Sequence, residues 1–244
     1  EDILKKLSTV ADPRMTLWFG HTETSTVDEP VYAGIPNGLP ASELGQYPDR
    51  SYVWGAMTMP NWNTEHNKEG NFKVLIRQRI MNYAEVCLLK AEAALRNYAG
   101  AGNAEQNYLA GIQASFDAER STVDKDLYST EEDEAYKTTG SVAWSSASDF
   151  EGHLKQIITQ KWLAVYPNGV EAWSEFRRTG YPVLNPVKQS LEPKIKAENG
   201  EFIKKLRYVD DELRENPNAT SSALNQGKGD GLHVRVWWDT GRYK

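Results

Sequence analysis

Residues 77–97 read Arg77-Gln78-Arg79-Ile80-Met81-Asn82-Tyr83-Ala84-Glu85-Val86-Cys87-Leu88-Leu89-Lys90-Ala91-Glu92-Ala93-Ala94-Leu95-Arg96-Asn97. Ile80, Ala84, Cys87, Leu88, Ala91 and Leu95 recur at intervals of three and four, which places them on one face of an α-helix. After Tyr98-Ala99-Gly100-Ala101-Gly102-Asn103, a second stripe runs through Ala104, Tyr108, Ile112 and Phe116. Residues 77–120 therefore read as a helical hairpin. Leu88, Ala91, Glu92 and Leu95, followed by Ala104, Tyr108 and Gly111, keep the offsets of a tetratricopeptide repeat, whose small positions let paired helices approach. Glu92 departs from it by standing where the repeat has a small residue, and Phe116 by standing where it closes on proline.

Working outward, residues 148–182 form a second hairpin. Ser148-Asp149-Phe150-Glu151 has the spacing of a capping box, with the serine expected at the cap. Leu154, Ile157, Ile158, Trp162 and Val165 make the apolar stripe, and Pro167-Asn168-Gly169 makes the turn. The returning helix, Val170 to Arg178, stops at Thr179-Gly180-Tyr181-Pro182. Residues 124–147 are polar and read as a long excursion between elements. Near the start, a helix end carrying Ile3, Leu4 and Leu7 is broken at Asp12-Pro13. Residues 183–244 are loop-rich, and Leu232, Val234, Val236 and Trp238 alternate with His233, Arg235, Trp237 and Asp239 as a half-buried strand would. The expected fold is mainly α: tetratricopeptide-like hairpins, an irregular loop-rich ligand-binding region and a few short strands.

Composition narrows the function. The 244 residues are 39% hydrophobic, enough for one large domain or two small ones. Net charge is −6 with no lysine or arginine block, which argues against nucleic acid as a partner. His21, His66, His153 and His233 are far apart and Cys87 is the only cysteine, so no disulfide forms within the chain and neither a metal site nor a cofactor is expected. No apolar run reaches the roughly 18 residues of a spanning helix. Catalytic signals are thin. Glu171 and Glu175 lie one helical turn apart, which an exposed helix face explains more simply than paired acid and base. Gly227-Lys228-Gly229-Asp230-Gly231 lacks the order of a phosphate loop and reads as a turn. No GxSxG or HExxH occurs, and no catalytic residue is assigned.

The segment 20–70 has a different texture. Prolines at 30, 36, 40, 48 and 60 exclude a long helix, and residues 47–67 interleave Tyr47, Tyr52, Trp54 and Trp62 with Arg50, Asn61, Asn63, Glu65 and Asn67. A pyranose presents an apolar face of C–H groups that stacks on an aromatic ring, while its hydroxyls require amide, guanidinium and carboxylate partners at the edge. The candidate ligand-binding residues are Tyr52, Trp54 and Trp62 for stacking and Arg50, Asn61 and Asn63 for hydrogen bonding. The competing reading is that these rings close a small core under a long loop. Trp162 and Trp173 sit in helix stripes and read as core, Trp18 reads as packing, and Trp237 is open between surface and site.

Residues 81–95 resemble the "YAEvlLLkAEA" helix of the SusD/RagB family. Residues 158–182, with Gln160-Lys161-Trp162, Asn168-Gly169 and Glu171-Ala172-Trp173-Ser174-Glu175-Phe176-Arg177-Arg178-Thr179-Gly180-Tyr181-Pro182, resemble its "QKWiAl…nG.EAWsewRRTGyP" block. Asp12-Pro13-Arg14 and Gly229-Asp230-Gly231 fall where similar residues are expected. The resemblance implies a surface-exposed, lipid-anchored outer-membrane protein of Bacteroidetes that binds oligosaccharide or polysaccharide, without catalysis, and caps a SusC-like TonB-dependent transporter. Members are considerably longer, so this chain is expected to be a C-terminal half. The lipobox cysteine and a missing N-terminal half would precede residue 1 and cover its apolar repeat faces. The matching motifs are scaffold motifs, and no single sugar contact carries over. Because some members resemble peptide-capture proteins, a peptide- or protein-binding module of the same uptake type is the alternative.

Overall fold

The computed structural model describes residues 11–25, 29, 31–51, 79–121, 130–216 and 229–243. The helix end expected at Ile3 to Leu7 lies outside them. The helices are α1 (Met15–Trp18), α2 (Tyr83–Leu95), α3 (Ala104–Arg120), α4 (Glu132–Thr138), α5 (Phe150–Ala164), α6 (Gly169–Thr179) and α7 (Asp210–Glu215). Short 3-10 turns lie at Ala41–Gln46, Trp144–Ser146 and Ala197–Asn199. The chain divides into two compact units, Glu1–Ile35 with Gly45–Ala172 and Pro36–Leu44 with Trp173–Lys244.

In the first unit α2 packs on both α3 and α5. The helix begins later than its apolar stripe suggests: Ile80, expected on the buried face, precedes it and is 90% exposed. Asn82 sets the start. Its backbone is extended, its side-chain oxygen accepts from the Glu85 amide at 2.7 Å, and its Nδ2 donates to the Ala164 carbonyl at 2.8 Å. One cap thus satisfies a free donor of α2 and a free acceptor at the end of α5. Asn103 caps α3 in the same manner, through Gln106 N at 2.9 Å. Ala84, Leu88 and Ala91 of α2 meet Tyr108, Ile112 and Phe116 of α3 and Ile157 and Ala164 of α5 in one core.

Both departures from the repeat pattern have physical accommodations. Glu92 is buried but pairs with Arg96 at 2.9 Å one turn on. Phe116 packs beneath two guanidinium groups, with Arg14 Cζ 5.1 Å and Arg120 Cζ 5.4 Å from its ring centroid. At α5 the cap is Asp149 rather than the expected Ser148, with Oδ1 accepting from Gly152 N at 2.7 Å. The charged carboxylate, one residue nearer the helix than Ser148, sits in register with the free amide. Asn168 caps the start of α6, and Gly180 ends it at φ +77°.

The polar excursion is structured where described, as α4 followed by the turn at Trp144–Ser146. Its inward face is partly ionic, which hides it from a search for apolar periodicity. Asp133 is buried against Arg120 at 2.6 Å and accepts from Gln113 at 2.9 Å, while Tyr136 and Val142 complete the core. Burial alone would raise the Asp133 carboxyl, but hydrogen bonds and charge from Arg120 outweigh it and hold the group below its ordinary value. The unfolded state then binds the extra proton, so this contribution to stability is complete above about pH 4 and disappears as pH falls through the folded-state value. We expect Asp133→Asn to be less stable than the parent at pH 7 and the difference to shrink in urea melts taken progressively below pH 4. A constant difference across that range would contradict the assignment.

A second cluster joins Trp18 and Phe19 to Leu163, with Tyr32, Trp162 and Tyr166 around it. Between the two clusters sits Arg14, fully buried. It donates to Asp12 at 2.9 and 2.5 Å, Ser115 at 3.0 Å, Gln160 at 3.0 Å and Tyr136 at 3.3 Å. Burial lowers the affinity of this guanidinium for its proton, but the Asp12 carboxylate more than compensates and the group stays charged.

In the second unit Phe176, Phe202 and Tyr243 pack ring to ring, with centroids 4.7 Å apart for Phe176 and Tyr243 and 4.9 Å for Phe176 and Phe202. The strand expected over residues 232–238 does not form: no ladder is present among the described residues, and two turns bracket a short extended run. Its backbone is used locally instead. The Lys204 amide donates to Leu232 O at 2.8 Å and the Val234 amide to Gly231 O at 3.1 Å, leaving no pairing strand. The inward alternation survives at Val234, which is buried.

Candidate functional site

The aromatic stretch singled out in the sequence is entered through residues 47–51 and left through residue 79. Tyr52, Trp54, Asn61, Trp62 and Asn63 lie outside the described residues, so of the six candidate ligand contacts the structure places Arg50 alone. That side chain is half-buried, and its Nη1 donates to the Tyr47 carbonyl at 2.9 Å.

The flanks of the stretch are fixed to the first unit. On the entering side the Thr24 hydroxyl donates to the Asp49 carboxylate, and the Thr24 amide reaches the other oxygen at 3.4 Å. The Thr24 hydroxyl is the main reason the Asp49 carboxyl lies below its ordinary value. Ser51 then pairs twice with Ala33, its amide donating to Ala33 O at 2.7 Å and its Oγ accepting from Ala33 N at 3.0 Å. The partner segment is itself anchored. Tyr32 packs on the Trp18, Phe19 and Leu163 cluster, and Tyr166, whose hydroxyl is pushed up to about 12 by burial, lies 4.6 Å from Trp18 ring to ring. On the leaving side, Arg79 is ion-paired with Glu119 and donates to its second oxygen at 3.2 Å, near the end of α3. A segment with both ends held on a packed body loses less freedom on binding a ligand than a free loop would. Sequence reading missed Thr24, Ser51 and Arg79, because their partners lie 18 to 40 residues away and no periodicity links them.

The other candidates fall into place as scaffold. Glu171 accepts from buried Lys161 at 2.9 Å, with Glu85 3.7 Å from the same ammonium, while Glu175 pairs with Arg178 at 2.7 Å. Each carboxylate belongs to its own ion pair rather than to an acid and base pair. Asp230 is a turn anchor, paired with Lys205 and accepting from the Tyr208 amide at 3.0 Å, whereas Lys228 of the glycine-rich run lies outside the described residues. Cys87 is buried as a small apolar residue. Trp18 is buried, as expected of packing, while Trp162 and Trp173, expected in the core, are half-buried. Trp173 Nε1 donates to Ile203 O at 3.2 Å, and the Arg177 guanidinium lies 3.6 Å from its ring centroid.

Helical hairpins packed through small residues, with the chain tied to them on both sides of the aromatic segment, define a helical-repeat scaffold. Residues 1–239 match the family described as SusD-like, the SusD and RagB outer membrane lipoproteins, and the chain belongs to that family. Its structure is similar to a chitin-binding SusD homologue from Flavobacterium johnsoniae, with a TM-score of 0.74 and 29% identity over 96% of this chain and 48% of that one. A SusD homologue from Bacteroides vulgatus gives 0.76 and 25%, covering 100% of this chain and 49% of its own length. One from Bacteroides ovatus gives 0.72 and 29%, covering 98% and 51%. The chain thus spans about half the length of these relatives. A comparison with curated proteins found no match.

Proposed function

We propose that this chain is the C-terminal portion of a cell-surface glycan-capture protein. It holds oligosaccharide or polysaccharide without cleaving it and passes it to a SusC-like TonB-dependent outer-membrane transporter. The observation that carries the reading is the family match, which runs through the whole aromatic segment, in a chain whose structural neighbour from F. johnsoniae is described as chitin-binding. In this reading Tyr52, Trp54 and Trp62 stack on sugar rings. Arg50, with one Nη committed to Tyr47, keeps further donors for hydroxyl groups alongside Asn61 and Asn63. Ion pairing of Glu171 and of Glu175 supports binding over hydrolysis. A preceding half completes the body and carries the lipid anchor.

Affinity electrophoresis through gels cast with starch, glycol chitin, pectin or xyloglucan tests this. At least one gel retards the parent, and Trp54→Ala and Trp62→Ala each weaken that retardation by about tenfold or more, in line with the loss of a buried stacking contact. Intact retardation in both variants would remove the assigned site. Capture of oligopeptides with no retardation by any glycan would favour the peptide-binding alternative.

A further inference from the structure

Trp237 is 86% exposed. Among the described residues its indole makes no ring or cation contact, yet the residues around it are tightly held. Trp238 packs against the Arg177 guanidinium, 4.6 Å from Cζ to ring centroid. Asp239, with a fully buried side chain, accepts from Arg235 Nη1 at 2.7 Å, from the Gly241 amide at 2.9 Å and from the Tyr243 hydroxyl at 2.7 Å. Its own amide closes the turn on Val236 O at 3.1 Å. The Thr240 hydroxyl donates to the Arg178 carbonyl at 2.9 Å. The backbone on both sides of Trp237 is thereby fixed, while its indole, unlike that of Trp238, faces water.

We infer that Trp237, in the second unit, is a second saccharide-stacking platform that takes the apolar face of a pyranose ring. This deepens the glycan-capture reading and rests on it. A flat indole on a pre-formed turn binds at little ordering cost and needs only the C–H face of a sugar. Exposed Thr240, whose hydroxyl oxygen can still accept while it donates to Arg178 O, and exposed Arg242, whose guanidinium lies 5.4 Å from the Tyr181 ring centroid, stand on the same loop with groups of the kind that ring hydroxyls pair with.

The test uses the full chain, with native affinity gels containing starch, glycol chitin, pectin or xyloglucan. On the polysaccharide that retards the parent most, Trp237→Ala weakens binding by about five- to tenfold, and Trp237→Tyr, which keeps an aromatic face, restores most of it. Both variants keep the parent's thermal melt, because the side chain is 86% exposed. In ¹⁵N spectra the Trp237 indole signal, identified by its absence from Trp237→Tyr, moves during titration with that polysaccharide. Retardation of Trp237→Ala within twofold of the parent, with a stationary indole signal, overturns the second platform. The glycan reading stands in that case if Trp54→Ala or Trp62→Ala loses retardation. If no gel retards the parent, both proposals fall together.

Discussion

Arg14→Ala lowers the unfolding free energy of the first unit by about 3–5 kcal/mol, the cost of removing one partner of a buried, hydrogen-bonded ion pair. The guanidinium joins the loop at Asp12 to α3 through Ser115, to α4 through Tyr136 and to α5 through Gln160. Truncation leaves the Asp12 carboxylate buried without its counter-charge and strips three polar groups of a donor. It also opens a void beside Phe116 and Trp18, on which the guanidinium lies. Against a typical domain stability of about 5–15 kcal/mol this is a large fraction. Urea melts followed by tryptophan fluorescence measure it. A loss below about 1 kcal/mol would mean that the network contributes no more than a surface pair. Replacing Arg14 and Asp12 together with apolar residues of similar volume recovers much of the loss, because no charge is then stranded.

The second large effect lies where the hairpin helices touch. In an open helix Gly111→Ala would stabilise by about 1 kcal/mol through backbone entropy alone. Here a Cβ at Gly111 stands 2.6 Å from Leu88 Cγ and 2.9 Å from its Cδ2, and Leu88 is fully buried and cannot swing aside. Overpacking of this kind costs about 1–3 kcal/mol and reverses the sign. Leu88→Ala alone destabilises by about 3 kcal/mol. The double variant is the sharper measurement. With the leucine branch gone the added methyl fits, so the double variant loses clearly less than the two single losses combined, by about 2 kcal/mol. Strict additivity would show that α2 and α3 do not approach through this pair.

Those two sites also show what was legible in the sequence. Leu88 and Gly111 belong to a periodic pattern, so the hairpin and its close approach follow from spacing. Arg14 does not. Asp12-Pro13-Arg14 marks a chain break, but nothing in its sequence neighbourhood indicates that its partners are Ser115, Tyr136 and Gln160. The same reason hid α4, whose inward face is built on Asp133 rather than on an apolar stripe, and the tethers Thr24, Ser51 and Arg79. Ile80 continues the apolar rhythm yet precedes α2, because the physical start is set by the capping geometry of Asn82. The strand expected at residues 232–238 failed because alternation reports an inward and an outward side but not a pairing partner. The resemblance rested on motif residues that the structure shows to be scaffold. Asn82 is a cap, and Lys161 draws Glu85 and Glu171 together. They locate the chain in its family more firmly than they identify a ligand.

Binding and the absence of turnover are both read by isothermal titration calorimetry in a single experiment. The polysaccharide that retards the parent in affinity gels is titrated into the full chain. Discrete injection heats saturate and the baseline returns fully after each one, with the heats strongly reduced in a Trp54→Ala, Trp62→Ala double variant. A sustained heat flow after each injection, removed by Glu171→Gln or Glu175→Gln, would contradict the absence of turnover, because it would report continuing hydrolysis.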